Sequence, residues 1–134
     1  MMQAHSLQQR QSNKLSESVW NWCEPLISKC IQYQDMYNIS DVRELIETGR
    51  FQLFPHHNQQ SCFVTELIVY PRSTALNLIF CAGRFEDLEE MLPSIENFAR
   101  HFGATKLYGG GRKGWAKKAK HLGFNAENII SKEI

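Results

Sequence analysis

Apolar residues recur along this chain with two periods, and the switches between them mark out its elements. Leu26, Ile27, Cys30 and Ile31 fall at helical spacing within residues 24–34, and Pro25 is placed in the first turn, where its missing N–H costs nothing. Val42, Leu45 and Ile46 share one face of a short helix that Ser40 should cap and Gly49 should end. The text then turns to short runs rich in β-branched and aromatic residues at 51–54, 62–70 and 75–82. Polar turns at 56–60 and 71–74 separate these runs, which predicts an antiparallel meander of three strands.

The helical period returns with Leu88, Met91, Leu92, Ile95, Phe98, Ala99 and Phe102, and Gly103 stops it. Pro93 lies inside that stripe and predicts either a kink or the true start of the helix. Lys106-Leu107-Tyr108 reads as a short strand. Residues 113–122 read as a helix with Trp115, Ala119 and Leu122 inward, and residues 124–130 as a last strand. Trp115 is expected to be buried near Phe98 and Phe102. The order predicts an α+β domain with a mixed, mainly antiparallel sheet and helices on both faces. The unit spanning 76–108 should be a right-handed crossover.

Residues 1–18 are different: Leu7 and Leu15 are the only sizeable apolar side chains after the methionine pair. Such a segment has too little apolar surface to offset the entropy of ordering. It reads as a polar arm for a protein partner or self-assembly, with 19–134 as a single domain. Hydrophobic residues make up 43% of the 134, which excludes a wholly disordered chain. The 15 Lys and Arg against 14 Asp and Glu leave a net charge of +1, so no dedicated polyanion binder is indicated. Nucleic acid is therefore not an expected partner; Lys117, Lys118, Lys120 and His121 form only a local basic face. No apolar run approaches the roughly 18 residues of a membrane span, and the first residues lack a signal-type stretch, so a cytoplasmic protein is expected.

Candidate chemistry is sparse. Cys23, Cys30, Cys62 and Cys81 contain no Cys-x-x-Cys pair and suit burial as small hydrophobes. His56-His57, with Cys62 as a third ligand, is the one conceivable metal group; neighbouring residues on a turn tend to diverge, so no metal is expected. Gly109-Gly110-Gly111-Arg112-Lys113 places three glycines before two cations at a helix start, a pattern able to make a nest of N–H groups for an anion. The same glycines equally serve a sharp strand-to-helix turn.

The order of elements, with Gly49-Arg50-Phe51-Gln52-Leu53-Phe54, Val64-Thr65-Glu66-Leu67, Tyr70-Pro71, Ile95-Glu96-Asn97-Phe98-Ala99-Arg100, Gly103-Ala104, Gly111-Arg112-Lys113-Gly114-Trp115 and Leu122-Gly123-Phe124, resembles the GNAT (Gcn5-related N-acetyltransferase) fold over about residues 20–125. The small, divergent versions encoded by tailed phages are the nearest in character. The resemblance implies an acyl-CoA pyrophosphate loop between the family's fourth strand, here 75–82, and the next helix. That junction reads Gly83-Arg84-Phe85-Glu86-Asp87-Leu88-Glu89-Glu90. Gly83 and Arg84 suit an anion, but the family's spaced glycines are absent and four carboxylates crowd the first turns. The family's tyrosine acid falls on Ala119, which leaves Tyr108 as a substitute and Glu66 as the carboxylate in the zone of the base, although an exposed strand face also explains Glu66.

Two functions follow. The preferred one is a phage accessory or virion-associated protein with a degenerate acyl-CoA site, acting by binding or assembly in the host cytoplasm or the virion, with no cofactor expected. The alternative is an acetyl-CoA-dependent N-acyltransferase acting on an amine of a protein or small molecule.

Overall fold

The computed structural model describes residues 15–109, 115–127 and 130–134. Helix α1 runs Glu17–Ile31 and α2 runs Ile39–Glu47. Three strands follow, β1 Phe51–Pro55, β2 Cys62–Val69 and β3 Thr74–Ala82. The long helix α3 spans Phe85–His101, strand β4 spans Lys106–Gly109, and a short helix α4, Trp115–Ala119, runs into a 3₁₀ turn at Lys120–Leu122. No helix among the described residues is long and apolar enough to cross a membrane.

Several boundaries differ from the sequence reading, each for a local reason. Helix α1 begins at Glu17 behind the cap Ser16, inside the span read as arm; residues 1–14 of that arm lie outside the described residues. Pro25 is therefore mid-helix, not in the first turn. It sits on the exposed side, where the carbonyl it leaves unpaired can face water. Asn38, not Ser40, caps α2: its side chain accepts from Asp41 N at 2.8 Å while Asp41 returns a bond to Asn38 N at 3.0 Å, a reciprocal box. Pro93 is likewise interior and exposed within a single helix, so it does not mark the start of α3. The described part of 124–130 contains no strand; Phe124 packs on the core, and the described residues after it are exposed.

The sheet order is β1-β2-β3-β4, with β1–β2–β3 antiparallel and β4 parallel to β3. The antiparallel meander and the mixed α+β sheet are as predicted. Ile79 is an extra residue in β3: Val64 pairs with Phe80 while Thr65 pairs with Leu78. This bulge switches the parity of the strand. Leu76 and Leu78 face one core, and Phe80 and Ala82 face the other. One core joins Trp20, Cys23 and Ile27 of α1 with Val42 and Ile46 of α2 on one side of the sheet. The other joins Phe63, Leu67, Leu76 and Leu78 with Phe85, Leu88, Ile95 and Ala99 of α3 on the opposite side.

Parallel pairing decides where the C-terminal helix goes. Because β4 runs alongside the first half of β3, the chain leaves it toward the end where β3 finishes and α3 begins. Trp115 accordingly meets Phe85, edge-on with centroids 5.4 Å apart, and is only half-buried. Its ring contact is therefore with Phe85 and not with Phe98 and Phe102, which lie about 20 and 25 Å further along the helix although they pack on the same core.

Candidate functional site

The junction between β3 and α3 holds the densest polar network of the described residues. Gly83 turns the chain with φ +115°, and a Cβ there would stand 2.2 Å from Ser61 Oγ and 2.6 Å from Gln60 O. Only a glycine lets the junction press against the β1–β2 loop. Arg84 N then donates to Ser61 Oγ at 2.9 Å, and the Ser61 hydroxyl donates to the Asp87 carboxylate. Asn58 Nδ2 donates to both Asp87 oxygens at 3.1 Å. Ser61 and Asp87 are buried, at 0% and 3% exposure. Burial alone would push the Asp87 carboxyl up, but the hydrogen bonds from Ser61 and Asn58, with smaller help from His56 and Arg84, hold it below its ordinary value. The carboxylate is thus a fixed negative charge in the first turn of α3.

His56 completes the network. Its Nδ1 accepts from Asn58 N at 3.1 Å, which leaves the ring proton on Nε2. That buried Nε2 makes no hydrogen bond, although Glu90 Oε1 lies 3.2 Å away and Asp87 Oδ1 lies 3.7 Å away. Cys62 does not join the histidines, because it faces the α1–α2 core, where its thiol pairs with that of Cys23. The Cys23 partnership and then burial push the Cys62 thiol far up, so it is no nucleophile. Sequence reasoning missed the Ser61–Asn58–Asp87 network altogether. Its one trace was a run of amides and Ser61 in a loop whose only evident role was to turn.

Gly83 and Arg84, the residues matched to the family's phosphate loop, sit at this junction. The Arg84 amide is spent on Ser61, and the Asp87 amide on the Arg84 carbonyl at 3.2 Å. The buried Asp87 carboxylate adds negative charge to the first turn of α3 beside this junction.

Beside the junction lies an open cleft of about 570 Å³, lined by Phe85, Glu86, Glu89, Lys117, Lys118, Lys120 and His121. It is electrostatically mixed: His121 Nε2 is 3.3 Å from Glu89 Oε2, and Lys118 Nζ stands 5.9 Å from the Phe85 ring centroid. Ala119 packs partly buried against the α3 core and brings no proton donor. Residues 79–82 of β3 extend past the last pair of its register with β4, Leu78 opposite Gly109.

The two candidate acid–base residues are brought into one cross-strand row. Glu66 pairs with Asn77, and Asn77 with Tyr108. Glu66 and Tyr108 thus flank Asn77 on one face, about 10 Å apart at two strand spacings. Glu66 is not on an exposed face: it is 8% exposed and accepts from Arg50 Nε at 2.9 Å, a bond that raises Arg50 above its ordinary value. The Tyr108 hydroxyl is 3.3 Å from Lys106 Nζ at the rim. Of the glycine-rich candidate, Gly109 ends β4, with room for little more than hydrogen against Leu78 Cδ1, 3.2 Å from a Cβ. Gly110, Gly111, Arg112 and Lys113 lie outside the described residues.

No protein-family model matches the chain, and no curated protein does either. Solved structures do. An acetyltransferase of Trypanosoma brucei aligns at TM-score 0.66 and 10% identity, over 90% of this chain and 95% of that one. An aminoglycoside acetyltransferase from an uncultured soil sample, solved with sisomicin, aligns at 0.63 and 12% identity over 90% and 91%. Glucosamine-6-phosphate N-acetyltransferase of Arabidopsis thaliana aligns at 0.61 and 8% identity over 91% and 95%. At these identities the likeness establishes the fold, which is the GNAT fold that the sequence resembled.

Proposed function

We propose that this chain, whose fold is that of the GNAT acetyltransferases, acts by binding or assembly and not by acyl transfer. The observation that carries the reading is the Ser61–Asp87 pair at the start of α3. It takes the Arg84 amide and sets a buried anion where the fold's phosphate contact belongs. Ala119 in place of the family's tyrosine supports the same reading. In this proposal the contact to a protein partner or a second copy is the polar segment 1–18, and a virion-associated role, as in tailed phages, is the setting in which such a component works.

Calorimetric titration with acetyl-CoA is the test. The native chain should give no binding heat and no thermal shift with millimolar CoA, because a ligand at 100 times its Kd adds about 2.7 kcal/mol. Neutralising Glu86, Asp87, Glu89 and Glu90 should create a shift. Micromolar binding to the native chain overturns the proposal. It would restore the second reading, an acetyl-CoA-dependent N-acyltransferase. That reading draws on the three lysines of the adjoining cleft, which suit a polyanionic ligand.

A further inference from the structure

The buried imidazole of His56 is the group that neither the fold nor the proposed function uses. Its side chain is 3% exposed, yet Nε2 is without a hydrogen bond. One ligand atom each of His56, His57 and Glu90 lie within 4.8 Å of one another. Neighbouring residues on a turn usually diverge, but here the two rings are stacked, with centroids 4.3 Å apart and planes 29° from parallel. We propose that His56, His57 and Glu90 form a binding site for one zinc-class divalent cation.

The donor set is two imidazole nitrogens and one carboxylate oxygen, which suits a borderline ion with a fourth position left to water. Tetrahedral bonds near 2.0–2.1 Å place neighbouring donors about 3.3 Å apart and the centroids of two bound imidazoles about 5 Å apart. The separation of His56 Nε2 from Glu90 Oε1, 3.2 Å, already matches that edge. The stacked rings must spread from 4.3 Å and turn so that both planes contain the ion, a movement open to the exposed His57. Glu90 and His57 are exposed, so an ion reaches the site from solvent. Asp87 keeps its bonds to Ser61 and Asn58, and with Glu90 supplies two negative charges against a dication.

Binding requires the other tautomer: as the ion takes Nε2, the neutral ring's single proton moves to Nδ1, with no net release from this ring. Nδ1 then no longer accepts from Asn58 N, so that 3.1 Å bond opens and the turn after His57 shifts. The bound ion fastens the β1–β2 loop to α3. The proposal is independent of whether acyl-CoA binds.

The test is titration of the full chain, with its thiols kept reduced, by Zn²⁺ and separately by Co²⁺. The expected result is one ion per chain at micromolar affinity. Tetrahedral cobalt bands should appear without thiolate charge-transfer absorption, and the Asn58 amide resonance should move. His57→Ala and Glu90→Gln alter exposed side chains, and each should weaken binding at least tenfold while the chain stays folded. Failure to bind zinc at sub-millimolar concentration, unchanged affinity in both variants, or thiolate-type cobalt bands would each overturn the site.

Discussion

Removing the Asp87 carboxylate should expose how much of the fold rests on one buried anion. In Asp87→Ala the Ser61 hydroxyl loses its acceptor at a site with 0% exposure, and Asn58 Nδ2 loses both of its oxygens in a half-buried position. A fully buried donor left unpaired costs about 1–3 kcal/mol, and the half-buried one roughly half of that, so the loss should be about 2–4 kcal/mol. For a chain of this length that corresponds to a Tm lower by about 10 °C. Urea unfolding at pH 7, followed by tryptophan fluorescence and far-UV circular dichroism, measures it, with m unchanged if the native state keeps its compactness. Asp87→Asn keeps the shape and one acceptor oxygen and should fall in between.

The pH dependence supplies the sign. The folded value of Asp87 lies below its ordinary 3.8, so its linked stabilisation is fully present above that pH. It is lost as pH falls from there through the lowered folded value. The gap between native and Asp87→Ala should therefore be flat through neutral pH and narrow only below about pH 3.8. A loss under about 0.5 kcal/mol at pH 7, within the range of ordinary surface changes, or a gap that does not narrow in acid, would refute the reasoning.

Two further predictions concern the same end of the molecule. Gly83→Ala meets both a φ of +115° and Ser61 Oγ at 2.2 Å, and should cost about 2–4 kcal/mol in urea unfolding; by displacing Ser61 it should also abolish the narrowing of the Asp87 gap in acid. Trp115→Ala removes a ring that is only half-buried on Phe85, so the loss should be about 2 kcal/mol, below the about 3–5 kcal/mol of a fully buried aromatic. The variant should remain folded by circular dichroism, and unfolding outright would show that Trp115 anchors more of the core than its contacts indicate.

Fold and candidate site were unequally legible. Helices α2 and α3 and the meander of β1 to β3 could be read because amphipathic spacing is a local property that burial merely exploits. The two cores also follow from alternation in β2, where Val64 turns one way and Phe63 and Leu67 the other. Caps were less certain, since Asn38 and Ser40 are both good candidates and the choice fell to a side-chain bond with Asp41.

The site belonged to tertiary structure. Asn58, Ser61 and Asp87 are ordinary polar residues in a loop and a helix start, 26 positions separating Ser61 from Asp87. They become a buried network only because β2 and β3 pair antiparallel and bring the β1–β2 loop back onto the end of β3. Tyr108 and Glu66 meet on one row for the same kind of reason, a register that no single segment encodes. The direction of β4 settled where Trp115 packs. Periodicity reports which face of an element is apolar; which elements share that face, and which polar groups are then forced to satisfy one another, depends on pairings whose partners lie far apart in the chain.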